Sequence, residues 1–182
     1  MTRLSAQVLS AVVGVIIGSA PLSAFAEGQP PPGVQLQYLM DRIAVEDAMA
    51  KYAKVVDYGT PDEYAALFTE DGLVRSQGKD FVGRKAIKDM ITPVLGKPAP
   101  GAPKPPRLRH ILSNENYEID GDTAHVFGSW ATIADIDGKG PAIGGMGYYT
   151  DTLVKVNGQW LISKHILYVD LAAPRAPRPK KP

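Results

Sequence analysis

Cysteine is absent from this chain, which excludes disulfides, thiol nucleophiles and thiolate metal ligands and leaves stability to burial and hydrogen bonding. Histidine is sparse too. His110, His125 and His165 are scattered without the i, i+4 or short-loop spacing of a zinc site, so no metal is expected. Neither sign of charge prevails, since 20 Lys and Arg against 19 Asp and Glu leave a net +1. Nucleic acid is therefore not an implied partner. Gly144, Gly145 and Gly147 share only their composition with a phosphate loop, lacking its lysine and following helix, so they read as a strand entry. No cofactor is expected.

What is present begins with an export signal. Arg3 gives a short positive region, LSAQVLSAVVGVIIGSAPL an apolar one, and Ala24-Phe25-Ala26 a small-x-small cleavage site, so residues 1–26 read as a cleaved signal and the protein as periplasmic or secreted. The rival reading, an uncleaved anchor, is weakened because the clearly apolar part falls short of the roughly 18 residues a span needs. After cleavage no membrane contact is expected. Residues 27–34 (EGQPPPG and Val34) form a proline-rich spacer, 35–170 the single domain, and 171–182, including PRAPRPKKP, a disordered basic tail. With 45% hydrophobic residues over its 182 positions, the chain has material for one core after its ends are discounted.

Between Val34 and Val56 two apolar stripes recur at helical spacing: Leu36, Leu39, Met40 and Ile43, then Val45, Met49, Tyr52 and Val56. They lie about 180° apart, so the chain should bend near Ala44 or be covered on both sides. Gly59 should supply a left-handed helix end. Thr60-Pro61-Asp62-Glu63 has the order of a capping box and opens a second short helix through Phe68. GLVRSQ and KDFVG are short strand candidates around Gln77-Gly78, and GRKAIKDMITPVLG reads as a third helix disturbed at Pro93.

KPAPGAPKPP must be a surface loop. Beyond it, alternation gives four strands at about 107–119, 123–136, 145–156 and 159–170. Asp120-Gly121 and Asn157-Gly158 are the hairpin turns. The fold class is thus α+β, helices first and an antiparallel meander curling over them. The last strand is apolar on both faces, with Trp160, Ile162 and Ile166 on one and Leu161, Leu167 and Val169 on the other. Such a sheet needs a second cover, so a homodimer through the sheet face is expected.

The succession KYAKVVDYG, DEYAALFTEDGLV, FVGRKAI, RHILSN, GDTAHVFGSW and GYYTDTLVKVNGQWLISKH resembles the SnoaL-like branch of the nuclear transport factor 2, ketosteroid isomerase and scytalone dehydratase superfamily, over about residues 36–170. The resemblance implies a cone-shaped, curved antiparallel sheet wrapped over N-terminal helices. It also implies roles: Asp57 and His110 match the aspartate and histidine of the bile-acid and scytalone dehydratases and of hexachlorocyclohexane dehydrochlorinase, and Tyr52 matches the phenol of the bile-acid type. Imidazole can act as a base near neutrality, and a carboxylate on its other nitrogen fixes the tautomer and stabilises the imidazolium. Tyr52 would donate to a substrate oxygen as charge develops there. Its place five residues before Asp57, about 140° round the helix, requires the helix to be ending if both are to face one cavity. The strand TAHVFGSWATIADI lacks the protonated aspartate of ketosteroid isomerases, and His165 stands where many members have arginine.

Trp130, Phe127, Tyr148, Tyr149 and Met146, with Leu112 on the strand of His110, are the candidates for lining an apolar substrate pocket. The expected activity is a cofactor-independent lyase or isomerase acting on a small apolar cyclic molecule by proton abstraction. A hydrolase using the same Asp-His pair, or a non-catalytic ligand-binding or dimerisation module of the same fold, are the alternatives.

Overall fold

The structure, a computed structural model, describes residues 31–97, 108–135 and 140–172. The expected signal, most of the 97–106 loop and the basic tail beyond Ala172 lie outside them. In chain order the elements are α1 (Pro32–Tyr58), α2 (Pro61–Ala65), β1 (Phe68–Ser76), β2 (Lys79–Val82), α3 (Gly83–Leu95), β3 (Leu108–Asp120), β4 (Thr123–Ala134), β5 (Ala142–Val156) and β6 (Gln159–Ala172).

Helix α1 begins inside the expected spacer, because Pro32 sits in its first turn, where no N–H is needed and proline's fixed φ is already helical. It runs unbroken through Ala44. The stripe Val45, Met49, Tyr52 and Val56 is buried, while Leu36, Leu39, Met40 and Ile43 are each more than half exposed. Neither a bend nor a second cover hides them among the described residues. At the C-terminus Gly59 donates to Val55 O at 2.8 Å from an extended backbone, φ −86°, rather than the expected left-handed one. Glycine is required there by space: a Cβ would lie 2.7 Å from the Val55 carbonyl oxygen.

The capping box forms as its residues imply, with Glu63 N–H donating to Thr60 Oγ1 and Thr60 N–H to Glu63 Oε2. Helix α2 is shorter than expected. It stops at Ala65 so that Phe68 can begin β1. Pro93 is accommodated inside α3, which continues to Leu95. Gln77-Gly78 and Asn157-Gly158 turn with positive φ at both residues, as two-residue hairpins prefer. The β3–β4 turn falls one residue later than expected, on Gly121-Asp122.

Six strands form one curved, unclosed sheet in the order β2-β1-β6-β5-β4-β3. It is mixed, not purely antiparallel. The chain leaves β2 through α3, starts again at the far edge with β3, and returns by hairpins until β6 lies parallel to β1. Val45, Met49, Phe68, Ile87, Leu153 and Ile162 fill the core between the sheet and the helices. The last strand departs from simple alternation, because Thr152 faces Lys164 and Leu153 faces Ile162, leaving Ser163 as the extra residue. The bulge turns His165 to the same face as Ile162. Ile166 and Leu167 exchange the faces that alternation assigns them, and Ile166 now borders a cavity of about 310 Å³ on the sheet's outer surface.

Candidate functional site

Asp57 lies in the last turn of α1 and His110 at the start of β3, the strand against which that helix end packs. Asp57 accepts at both oxygens from the His110 backbone N–H, 3.1 Å each, and His110 Nδ1 meets Asp57 Oδ1 at 2.7 Å. The neighbouring pair repeats the tie, with the Arg109 guanidinium 4.3 Å from the centre of the Tyr58 ring. Because a carboxylate only accepts, Nδ1 carries a proton, and in the neutral ring Nε2 is then the nitrogen with the lone pair. Nε2 has no hydrogen-bond partner among the described residues. The Asp57 side chain is 6% exposed and that of His110 20%, a sheltered orienter beside a reachable imidazole.

Tyr52 does not join this pair. Helix α1 continues through Tyr58 instead of ending, so the 140° between the two side chains is preserved and Tyr52 points across the core toward β6. Its hydroxyl is 3.0 Å from His165 Nε2, and His165 Nδ1 is 2.6 Å from Asp151 Oδ1. The same acceptor logic puts the His165 proton on Nδ1, so Tyr52 O–H donates to Nε2. This buried second pair has no local signature in the sequence, since no acidic residue stands within four positions of His165. The signal was cross-strand: Asp151 and His165 stand directly opposite each other on β5 and β6. Burial pushes the Asp151 carboxyl up, more than His165 pulls it down, and burial also pushes the Tyr52 phenol well up.

The expected lining residues divide between two faces. Leu112 stands opposite Trp130, Trp130 opposite Gly147, and Tyr149 opposite Gly128, all on the concave side. Met146, Tyr148 and Phe127 alternate with these and lie on the outer face, so as pocket residues they are corrected. There Phe127 stacks on Tyr148 and Tyr148 on Tyr168, with ring centres 5.7 and 4.4 Å apart. On the concave side the Tyr149 ring crosses Gly128, whose missing Cβ leaves it room, and its hydroxyl donates to Glu115 Oε1 at 2.5 Å. Tyr117 donates to the other oxygen at 2.7 Å. Burial, followed by the Glu115 charge, raises both phenols.

A cavity of about 540 Å³ runs along the seam between α1 and β3, walled by Met49, Ala50 and Ala53 on the helix and Leu112, Glu115 and Tyr117 on the strand. Leu112 is the next residue after His110 on the same face of β3, and Ala53 is one turn before Asp57. The cavity is apolar near that end. At the other, Arg42 pairs with Glu46 at 2.7 Å and lies over the Tyr117 ring.

Helices gathered on one side of a curved, unclosed six-stranded sheet, with an imidazole-carboxylate pair where the first helix meets the edge strand, define an α+β cone. The SnoaL-like domain profile matches residues 37–165, and the chain belongs to that family. Among solved structures it is similar to a candidate scytalone dehydratase from Novosphingobium aromaticivorans, with 26% identity, TM-score 0.65 and coverage of 79% of this chain and 93% of that one. A function-unknown protein from Mycobacterium tuberculosis aligns at 27% identity and TM-score 0.62 over 72% of this chain and 77% of its own. A type 2 hexachlorocyclohexane dehydrochlorinase shares the fold, at 20% identity and TM-score 0.64 over 81% and 97%. No curated protein matches the chain significantly.

Proposed function

We propose that this protein is a cofactor-independent lyase or isomerase in which His110 abstracts a proton from a small, largely apolar cyclic substrate. The observation that carries the reading is the 2.7 Å contact between His110 Nδ1 and Asp57 Oδ1, with Nε2 left unpaired among the described residues. Proton transfer from carbon to Nε2 makes an imidazolium; Asp57 stabilises it and holds the ring in place. Loss of a β-substituent from the carbanionic substrate gives an elimination, whereas reprotonation at another carbon gives an isomerisation. The family's range, which includes the proteins named above as dehydratase and dehydrochlorinase, supports this class of reaction. Leu112, which walls the cavity of about 540 Å³, is the concave-side residue we assign to substrate contact, with Trp130 and Tyr149 supporting that face from within the sheet. Tyr52 enters the reaction only if its bond to His165 is released.

The N-terminal sequence supports export, and the aromatic stack on the outer sheet face supports a homodimer through that face. A panel of hydroxylated and halogenated cyclic compounds, assayed with the wild type and with His110→Ala and Asp57→Asn, tests the chemistry. Turnover should fall by about 10²- to 10⁴-fold in His110→Ala. Activity that survives both substitutions would remove the pair from the mechanism.

A further inference from the structure

A second imidazole-carboxylate pair lies in the core, and the reaction proposed above does not use it. His165 and Asp151 are 1% and 3% exposed. Placing two titratable groups there, in addition to a phenol, is costly unless each is bonded. The bonding is nearly complete, from Tyr52 Oη to His165 Nε2 and from His165 Nδ1 to Asp151 Oδ1, with only Asp151 Oδ2 unpartnered among the described residues.

We propose that Asp151 and His165 are positioning residues for Tyr52, and that the charge on His165 sets which way the Tyr52–His165 hydrogen bond points. While His165 is neutral, its proton is on Nδ1 toward Asp151, and Nε2 can only accept. Tyr52 must then donate, and its hydroxyl proton is committed. When Nε2 takes up a proton, the imidazolium is paired with the Asp151 carboxylate and Nε2–H donates to Tyr52 Oη. The Tyr52 proton is then free to turn toward another oxygen. Here the switch sits one and a half turns before Asp57 on the same helix.

The groups that face His165 are few. Tyr52 approaches from α1, with ring centres 4.9 Å apart, and Phe68 from β1 at 6.5 Å. Asp151 and Tyr149 approach from β5, the latter at 6.1 Å and tied at its hydroxyl to Glu115 on β3. The Tyr64 ring of α2 has its centre 5.8 Å from that of Tyr52, and its hydroxyl interacts with the Tyr52 hydroxyl, so it is one oxygen to which a released Tyr52 proton can turn. Among the described residues Asp151 is the one carboxylate in direct contact with the ring, so it dominates the balance. The availability of the Tyr52 proton to a substrate rests on the proposed proton abstraction; the direction of the bond does not, and the two can fail separately.

The test is a ring-nitrogen NMR titration of the ¹⁵N-histidine-labelled protein, with His165→Gln to assign the signal. At neutral pH the His165 ring should show a protonated Nδ1 and a bare Nε2. Tyr52→Phe removes the partner of both forms of the ring, but the bond from the charged Nε2–H is the stronger, so the His165 midpoint should fall by about half to one pH unit. Asp151→Asn should lower it. A midpoint that is unchanged or raised in Tyr52→Phe, or an Nε2-protonated neutral ring, overturns the proposal. Should Tyr52→Phe not fold, the wild-type Tyr52 ¹³Cζ signal decides, since it must titrate in step with His165 and its failure to do so is equally fatal. Where turnover is found, Tyr52→Phe and His165→Gln should alter the acidic limb of the pH profile alike, whereas His110→Ala removes turnover at every pH.

Discussion

At His110 and His165 the same Nδ1 to carboxylate bond has opposite consequences, because among the described residues only the second ring has its Nε2 occupied, by Tyr52. Readiness for proton transfer is decided by the third partner. Tyr149 shows how a single missing methyl group can matter as much. Gly128→Ala would drive a Cβ into the Tyr149 ring, displace it from Glu115 and cost about 1–3 kcal/mol in thermal or urea unfolding, since the neighbouring core cannot give way. Asp41 allows a test of linkage: burial by itself would raise its carboxyl, but hydrogen bonds from Lys155 and Gln37 outweigh this and hold it below the usual carboxylate range. A lowered folded-state value stabilises the fold above the unfolded carboxylate range, and this contribution is lost as pH falls through the lowered value. Asp41→Asn should therefore melt lower than wild type at neutral pH, on the order of a few degrees, with the difference vanishing in acid.

Elements carry their own evidence. The box at the start of α2 was readable from Thr60 and Glu63 because capping depends on residues three apart, and Thr60→Ala should cost about 1 kcal/mol in urea unfolding. The two stripes of α1 were equally readable, but which one is buried was not. Their unequal burial gives a direct comparison: Met49→Ala should cost about 2–5 kcal/mol and Ile43→Gln no more than about 0.5 kcal/mol. A large loss at Ile43 in the isolated protein would mean that something covers that stripe in solution. Strand faces were less legible wherever a bulge intervened. Ser163 reverses the last strand, placing His165 inside and Ile166 outside, and no composition rule marks the position of an extra residue.

For the whole molecule, the sheet face opposite the helices presents Phe127, Tyr148 and Tyr168 as a continuous aromatic ladder, with Phe127 47% and Tyr168 40% exposed. If it joins two copies, a Tyr148→Arg/Tyr168→Arg double variant should sediment as a monomer at concentrations where the wild type is a dimer, with the fold retained by circular dichroism. A wild type that is monomeric throughout would leave the ladder without this role. The cone itself positions the candidate site, because bringing β3 to the sheet edge lets α1 end against it. Asp57 and His110, 53 positions apart in the chain, meet there.

Local rules acting over a few residues determined the three helices, the glycine turns, the approximate strands and, through the family resemblance, the pairing of Asp57 with His110. Tertiary structure alone decided the rest. The parallel closure of β1 on β6, the bulge that turns His165 inward, its bond to Asp151 and the capture of Tyr52 all depend on which strands lie side by side and in what register. Register is set by the packing of the whole sheet on its helices, a quantity no short stretch of sequence contains.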